Sequence, residues 1–283
     1  VSTPGRYHEV TSDDGTRLCV YDAGNGAGPP ILFIHGFAQS HLAWNKQFTG
    51  PLAAEFRLVA FDLRGHGWSD KPLDAAAYRD GRKWAQDVRA VIGALDLAAP
   101  VLVGWSYGGG VVCDLLTCGD AGDVAGINFV AGVVGDDPAF YGPDARLIGK
   151  TASRDPRTAL DASRRFVRAC FAGAPPREDF ERMLAYNAML PQAIRPLLLG
   201  RRTDARAALA ALEIPVLFSH GSSDGIIAPE MSAFGARTVA AAQISTYEGS
   251  GHSPFYEANE RFDRELAEFV RTCAVHSGRS HAE

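Results

Sequence analysis

The sequence predicts an α/β fold: a mostly parallel central sheet flanked by helices, with one helical cap insertion. Three observations predict it. Short, near-continuous apolar runs rich in strand formers recur along the chain, as buried strands of a parallel sheet require. Helix-length stretches with apolar residues at helical spacing lie between them, the alternation that builds α/β layers. One interval, residues 135–213, is too long for a simple connection and carries helical patterns of its own.

Taken in order, RYHEVTSDDGTRLCVYDAG (6–24) reads as two strands joined by an Asp-Asp-Gly turn, a hairpin. ILFIHG (31–36) and RLVAFD (57–62) follow as strands. Trp84, Val88, Val91, Ile92 and Leu95 then form one apolar helical stripe. VLVGWS (101–106) is a strand that runs into a helix-compatible segment, and INFVAG (127–132) is the next strand. Within 135–213, DASRRFVRACF and FERMLAYNAML have helical spacing. The interval holds 13 Lys/Arg against 10 Asp/Glu, whereas the rest of the chain is net acidic. It is read as an inserted cap over the C-terminal edge of the sheet, with 1–134 and 214–283 forming the core. Its basic balance solvates helices or favours a polar or anionic substrate. PVLFSHG (215–221) and QISTYEG (243–249) are further strands, Pro229 opens a helix, EANERFDRELAEFVRTC is the last helix, and a polar tail follows Ala274.

The 283 residues, 46% apolar and 22% charged, suit a globular chain with a sizeable core. A net charge of −5 excludes the basic footprint of a nucleic-acid binder. No apolar run nears the ~18 residues of a membrane span, so no membrane partner is expected. The first residues, VSTPGRYHEV, have neither a basic nor an apolar leader region. Cys19, Cys113, Cys118, Cys170 and Cys273 are odd in number and lack C-x-x-C spacing, which speaks against a disulfide framework or a zinc site. Buried reduced thiols and a cytoplasmic setting are the expectation. No metal and no cofactor are implied: AGNGAG (23–28) precedes a strand, the wrong order for a dinucleotide cradle.

Two segments match G-x-S-x-G, around Ser106 and around Ser223. The motif demands a sharp strand-to-helix turn in which small neighbours make room for a presented hydroxyl. Ser106 follows an apolar strand and precedes a helix-compatible run. Ser223 is followed by GIIAPE, where the helix opens only at Pro229. Context therefore favours Ser106.

FIHGFAQS, FDLRGHGWSD, GWSYGG, HGSSDGIIAP and GSGHSPFYEANERF resemble, in order, the characteristic segments of the α/β-hydrolase fold enzymes. That resemblance covers nearly the whole chain and implies an α/β-hydrolase fold with a serine nucleophile. It implies the catalytic order nucleophile, acid, histidine, met here by Ser106, Asp224 and His252. It also implies an oxyanion hole from the backbone N–H groups of Phe37 and Tyr107, with Phe37 and Trp105 against the substrate. Asp136 and Asp137 stand where some relatives place the acid. His35 and His66 are structural in the family, and His220 is read as a packed or hydrogen-bonded core residue. Serine at 106 separates the chain from aspartate-nucleophile relatives, and Lys150 is the insertion's one lysine, a poor match to hydroxynitrile lyases. Ala38 stands where many cofactor-free haloperoxidases have proline. The implied activity is hydrolysis of a small-molecule ester or lactone. Haloperoxidase or perhydrolase chemistry and a small-molecule receptor with little turnover are the alternatives, and oligomeric state is not legible.

Overall fold

A computed structural model describes residues 5–119, 124–201 and 204–280. Eight strands form one sheet: β1 (Arg6–Thr11), β2 (Arg17–Gly24), β3 (Pro30–Ile34), β4 (Arg57–Phe61), β5 (Val101–Trp105), β6 (Gly126–Val130), β7 (Val216–Gly221) and β8 (Ala242–Tyr247). Their spatial order is β1-β2-β4-β3-β5-β6-β7-β8. β1 pairs antiparallel with β2, and β2 with β4; from β4 onward every pairing is parallel. The predicted hairpin is β1–β2, closed at Thr11↔Arg17. Every residue of β5 is buried between β3 and β6, which explains its unbroken apolar run.

The apolar stripe after β4 becomes the Gly81–Ala94 helix, capped by the Asp80 side chain and burying Trp84, Val88 and Val91. FDLRGHGWSD proves to be a structural knot. Arg64, fully buried, grips Asp87 through two bonds of 2.7 and 2.6 Å and reaches Asp14 at 2.9 Å. Asp62 accepts from the backbone N–H groups of His41 and Trp68, both at 2.8 Å. Charge-assisted bonds of this kind join the hairpin turn, the end of β4 and the helix behind them.

Between β6 and β7 the chain forms helices at Arg146–Thr151, Pro156–Ala169, Arg177–Ala188, Arg195–Leu198 and Arg206–Ala210. Phe166 packs edge-on against Phe37, ring centroids 5.9 Å apart, so this helical interval rests on the loop after β3. The helix expected at Pro229 spans Pro229–Thr238. The last helix, Asn259–Ser280, runs past Ala274, where the sequence reading placed a polar tail. Phe262, Leu266, Phe269, Val270 and Cys273 bury its apolar stripe. Once that stripe is anchored, further turns add at little cost whatever their polarity. Among the described residues no helix is long and apolar enough to cross a membrane.

Candidate active site

Ser106 sits between the end of β5 and the helix Tyr107–Thr117 with φ 54° and ψ −116°. A side-chain-bearing residue seldom adopts positive φ, so the elbow is strained and must be held. Ser106 N–H donates to Val130 O at 3.0 Å, and Ser106 O accepts from Val133 and Gly109 N–H, both at 2.9 Å. The flanking glycines are required by approach: a Cβ at 108 would lie 2.3 Å from Ile34 O, and one at 104 would lie 2.9 Å from Gly108 O. Ser223 has no such setting. It is exposed in the turn after β7, its N–H bonded to Ser250 O.

Asp224 and His252 come together although 28 residues separate them. Asp224 Oδ2 lies 2.6 Å from His252 Nδ1, and both side chains are buried. Asp224 Oδ1 accepts from Ile226 and Ile227 N–H at 2.8 and 3.0 Å. Burial works to raise the Asp224 carboxyl, but His252 and His220 outweigh it and hold it well below the usual carboxylate range. An ionised Asp224 fixes the Nδ1–H tautomer of His252 and leaves Nε2 as the basic nitrogen. That Nε2 is buried with no hydrogen-bond partner among the described residues. Asp136 and Asp137 are exposed, and Asp137 caps the short Pro138–Phe140 helix.

Trp105 departs from the sequence expectation. It does not line the cavity at Ser106. Strand alternation turns its indole to the other side, between Trp44 and Phe255, where its N–H donates to His252 O at 2.9 Å. The residue before the elbow therefore anchors the histidine loop, with the two rings 5.6 Å apart.

His35 and His66 build the loop after β3. His35 Nδ1–H donates to Gly36 O at 2.8 Å and its Nε2 accepts from Leu63 N–H at 3.0 Å. His66 Nδ1–H donates to Arg64 O at 3.0 Å and its Nε2 accepts from Ala38 N–H at 3.1 Å. Both rings are fully buried, and burial pushes them down to about 4 and about 3, so both stay neutral. Ala38 has φ 54°. Proline at this position would lack both that φ and the N–H that His66 receives, a backbone reason for the departure from the haloperoxidase loop.

Phe37, Ser106 and Tyr107 line one cavity of about 360 Å³, together with Ile148, Leu198 and Ile227. Its walls thus come from both the sheet's loops and the helical interval. Arg201 also reaches it, but is ion-paired with Asp114 and stacked over the Trp84 and Tyr107 rings at 5.1 and 5.0 Å. Burial pushes the Asp114 carboxyl up to about 6, against the pull of Arg201. Lys150 is exposed.

His220, read from the sequence as a packed or hydrogen-bonded core residue, is both, and it brings with it Ser232, which the sequence reading did not single out. His220 Nε2 lies 3.1 Å from Asp224 Oδ2, and its Nδ1 lies 2.6 Å from Ser232 Oγ. The signal for His220 is a histidine ending the strand four residues before the acid, and no local pattern marks Ser232.

A serine elbow after the central strand of this sheet, with an aspartate–histidine pair on the loops after β7 and β8, defines the class: an alpha/beta hydrolase. The model of the alpha/beta hydrolase family matches residues 31–265, and the chain belongs to that family. It is similar to a solved structure from Burkholderia cenocepacia assigned as an aryl esterase, at 36% identity and TM-score 0.92, covering 95% of this chain and 100% of that one. An esterase from Rhodococcus sp. ECU1013 shares 34% identity at TM-score 0.87, covering 94% and 99%. A non-heme chloroperoxidase of Streptomyces lividans shares 29% identity over 283 residues, 93% of this chain and 99% of that protein.

Proposed function

We propose that the chain is a serine hydrolase that cleaves a carboxylic ester or lactone through an acyl-enzyme on Ser106. One observation carries the reading. A strained serine is presented at the elbow after β5, and on the loop after β8 a histidine is locked through Nδ1 onto a buried carboxylate, with its Nε2 unengaged among the described residues.

Ser106 Oγ attacks the acyl carbon as its proton passes to His252 Nε2. The carbonyl oxygen becomes an oxyanion, received by the N–H groups of Phe37 and Tyr107 at the N-terminal end of a helix dipole. Collapse breaks the bond to the alcohol oxygen, which leaves with the proton from His252. Water repeats the sequence, giving its proton to His252 and expelling Ser106 Oγ, which takes the proton back. A lactone follows the same path with its alcohol still tethered.

The cavity supports a neutral substrate. Its volume of about 360 Å³ is at the small end for ligand sites, and its walls are mainly apolar. The guanidinium at its edge already has a carboxylate partner in Asp114. The likeness to two esterases at more than 30% identity supports the ester over the other acyl-transfer alternatives.

Ser106→Ala tests the reading. Hydrolysis of short-chain p-nitrophenyl esters should fall by about 10⁴-fold or more, and labelling by a fluorophosphonate probe should vanish, with the far-ultraviolet spectrum unchanged. Turnover near wild type would refute the serine mechanism. A wild-type chain that neither labels nor releases p-nitrophenol, nor opens any lactone, would instead be a binding protein.

A further inference from the structure

We propose that His220 is a positioning residue for the acid–histidine pair: its Nε2–H shares the Asp224 carboxylate with His252 and so sets the basicity of the catalytic imidazole. The proposal rests on the serine-hydrolase reading and adds a fourth side chain to it.

The tautomer of His220 follows from its partners. Nε2 faces two oxygens that only accept, Asp224 Oδ2 at 3.1 Å and Ile227 O at 3.0 Å, so Nε2 carries the hydrogen. Nδ1 faces Ser232 Oγ at 2.6 Å, a hydroxyl able to donate to it. The ring is 1% exposed, and its partners fix it on both sides.

Asp224 then receives four N–H donors. Ile226 and Ile227 occupy Oδ1, while His252 and His220 share Oδ2. The two backbone donors come from the turn itself, so they orient the carboxylate and present Oδ2 to both rings. An oxygen divided between two donors offers each less negative charge, and the imidazolium form of His252 gains less from it. Among the described residues three other ionisable groups lie near the pair, one of them Asp144, whose carboxyl is set against Gly225 beside the acid. Cys170 is near Asp224, but burial holds its thiol far above its ordinary range, so it stays neutral. Glu257 is occupied by the backbone N–H groups of Ala172, Gly173 and Gly251. None of the three supplies the N–H that His220 gives Asp224.

The pH profile of kcat/KM for a p-nitrophenyl ester, run on His220→Leu and His220→Gln, tests this. Leucine keeps bulk and removes the donor, whereas glutamine carries an N–H at the reach of Nε2. The acid limb of the leucine variant should move up by about half to one pH unit, with kcat lowered about 10- to 100-fold. The glutamine variant should return the limb to the wild-type position. An unmoved limb in the leucine variant, or an equal shift in both variants, would overturn the proposal and leave His220 a packing residue. Should the leucine variant not fold, nitrogen-15 imidazole spectra of the unsubstituted protein at pH 8 decide, the His220 signals being assigned by their disappearance in His220→Gln. The Nε2–H tautomer is expected, and the Nδ1–H tautomer would overturn it. Failure of the underlying reading looks different: Ser106→Ala would then retain turnover, whatever the His220 variants do.

Discussion

Asp224→Asn changes one atom and one charge, and the four donors around it make its effect calculable. Whichever way the amide is turned, its NH2 meets N–H groups: those of Ile226 and Ile227 on one side, those of His252 and His220 on the other. The turn backbone cannot retreat, so the amide oxygen stays on the Ile226–Ile227 side and its NH2 faces the two rings. His252 must then give up its Nδ1 proton and hold one on Nε2, the tautomer unable to take a proton from Ser106. The expected fall in kcat is about 10⁴-fold, or roughly 5 kcal/mol of transition-state stabilisation. KM should change little, because Asp224 is not among the residues lining the cavity. The fold loses two charge-assisted hydrogen bonds at about 1.5–3 kcal/mol each. Steady-state hydrolysis of p-nitrophenyl acetate gives the first quantity, and chemical denaturation the second. A folded Asp224→Asn protein within tenfold of wild-type kcat would refute the assignment of Asp224 as the orienting acid.

Acid should weaken the fold in two stages. His35 and His66 have folded values of about 4 and about 3, below the ordinary histidine value, so the unfolded chain binds more protons. Their contributions, of order 3 kcal/mol for His35 and 5 kcal/mol for His66, are present above pH ~6.5 and are lost as pH falls toward about 4 and about 3 respectively. Asp224 is held low in the folded state, so its contribution is present above the ordinary carboxylate value and is lost only at pH well below it. Denaturation series from pH 7.5 to 4.5 should show an uptake approaching two protons on unfolding; a flat unfolding free energy down to pH 5 would contradict the neutral, buried histidines. Ala38→Pro should cost about 3 kcal/mol or more and abolish ester hydrolysis, because it forbids φ 54° and removes the bond to His66 beside Phe37. An Ala38→Pro protein within 1 kcal/mol of wild type, by the same denaturation assay, would show that the loop tolerates the haloperoxidase residue.

Much of the fold was legible because its signals are local. β3 to β7 read as strands since burial on both faces leaves no polar alternation in them. The helical interval announced itself by length, and the elbow by the strand before Ser106 and the helix after it. The polar end of the last helix was misread because its support comes from the buried stripe before it rather than from its own composition.

What the amino-acid order determined on its own is the run of strands and helices, the sharp turn at Ser106, and the order in which serine, acid and histidine occur. Each is written in residues a few positions apart, through backbone sterics and the period of the apolar pattern. Tertiary structure alone decided where side chains turn and whom they meet. Trp105 bonds the main chain of His252 across 147 residues, Arg201 pairs with Asp114 across 87, and Ala38 meets His66 across 28. Even His220, only four residues from Asp224, becomes its partner because the turn after β7 folds that carboxylate back over the strand end. Such pairings depend on loop paths and packing, which no local pattern encodes. They convert a presented hydroxyl into a site with an oriented base.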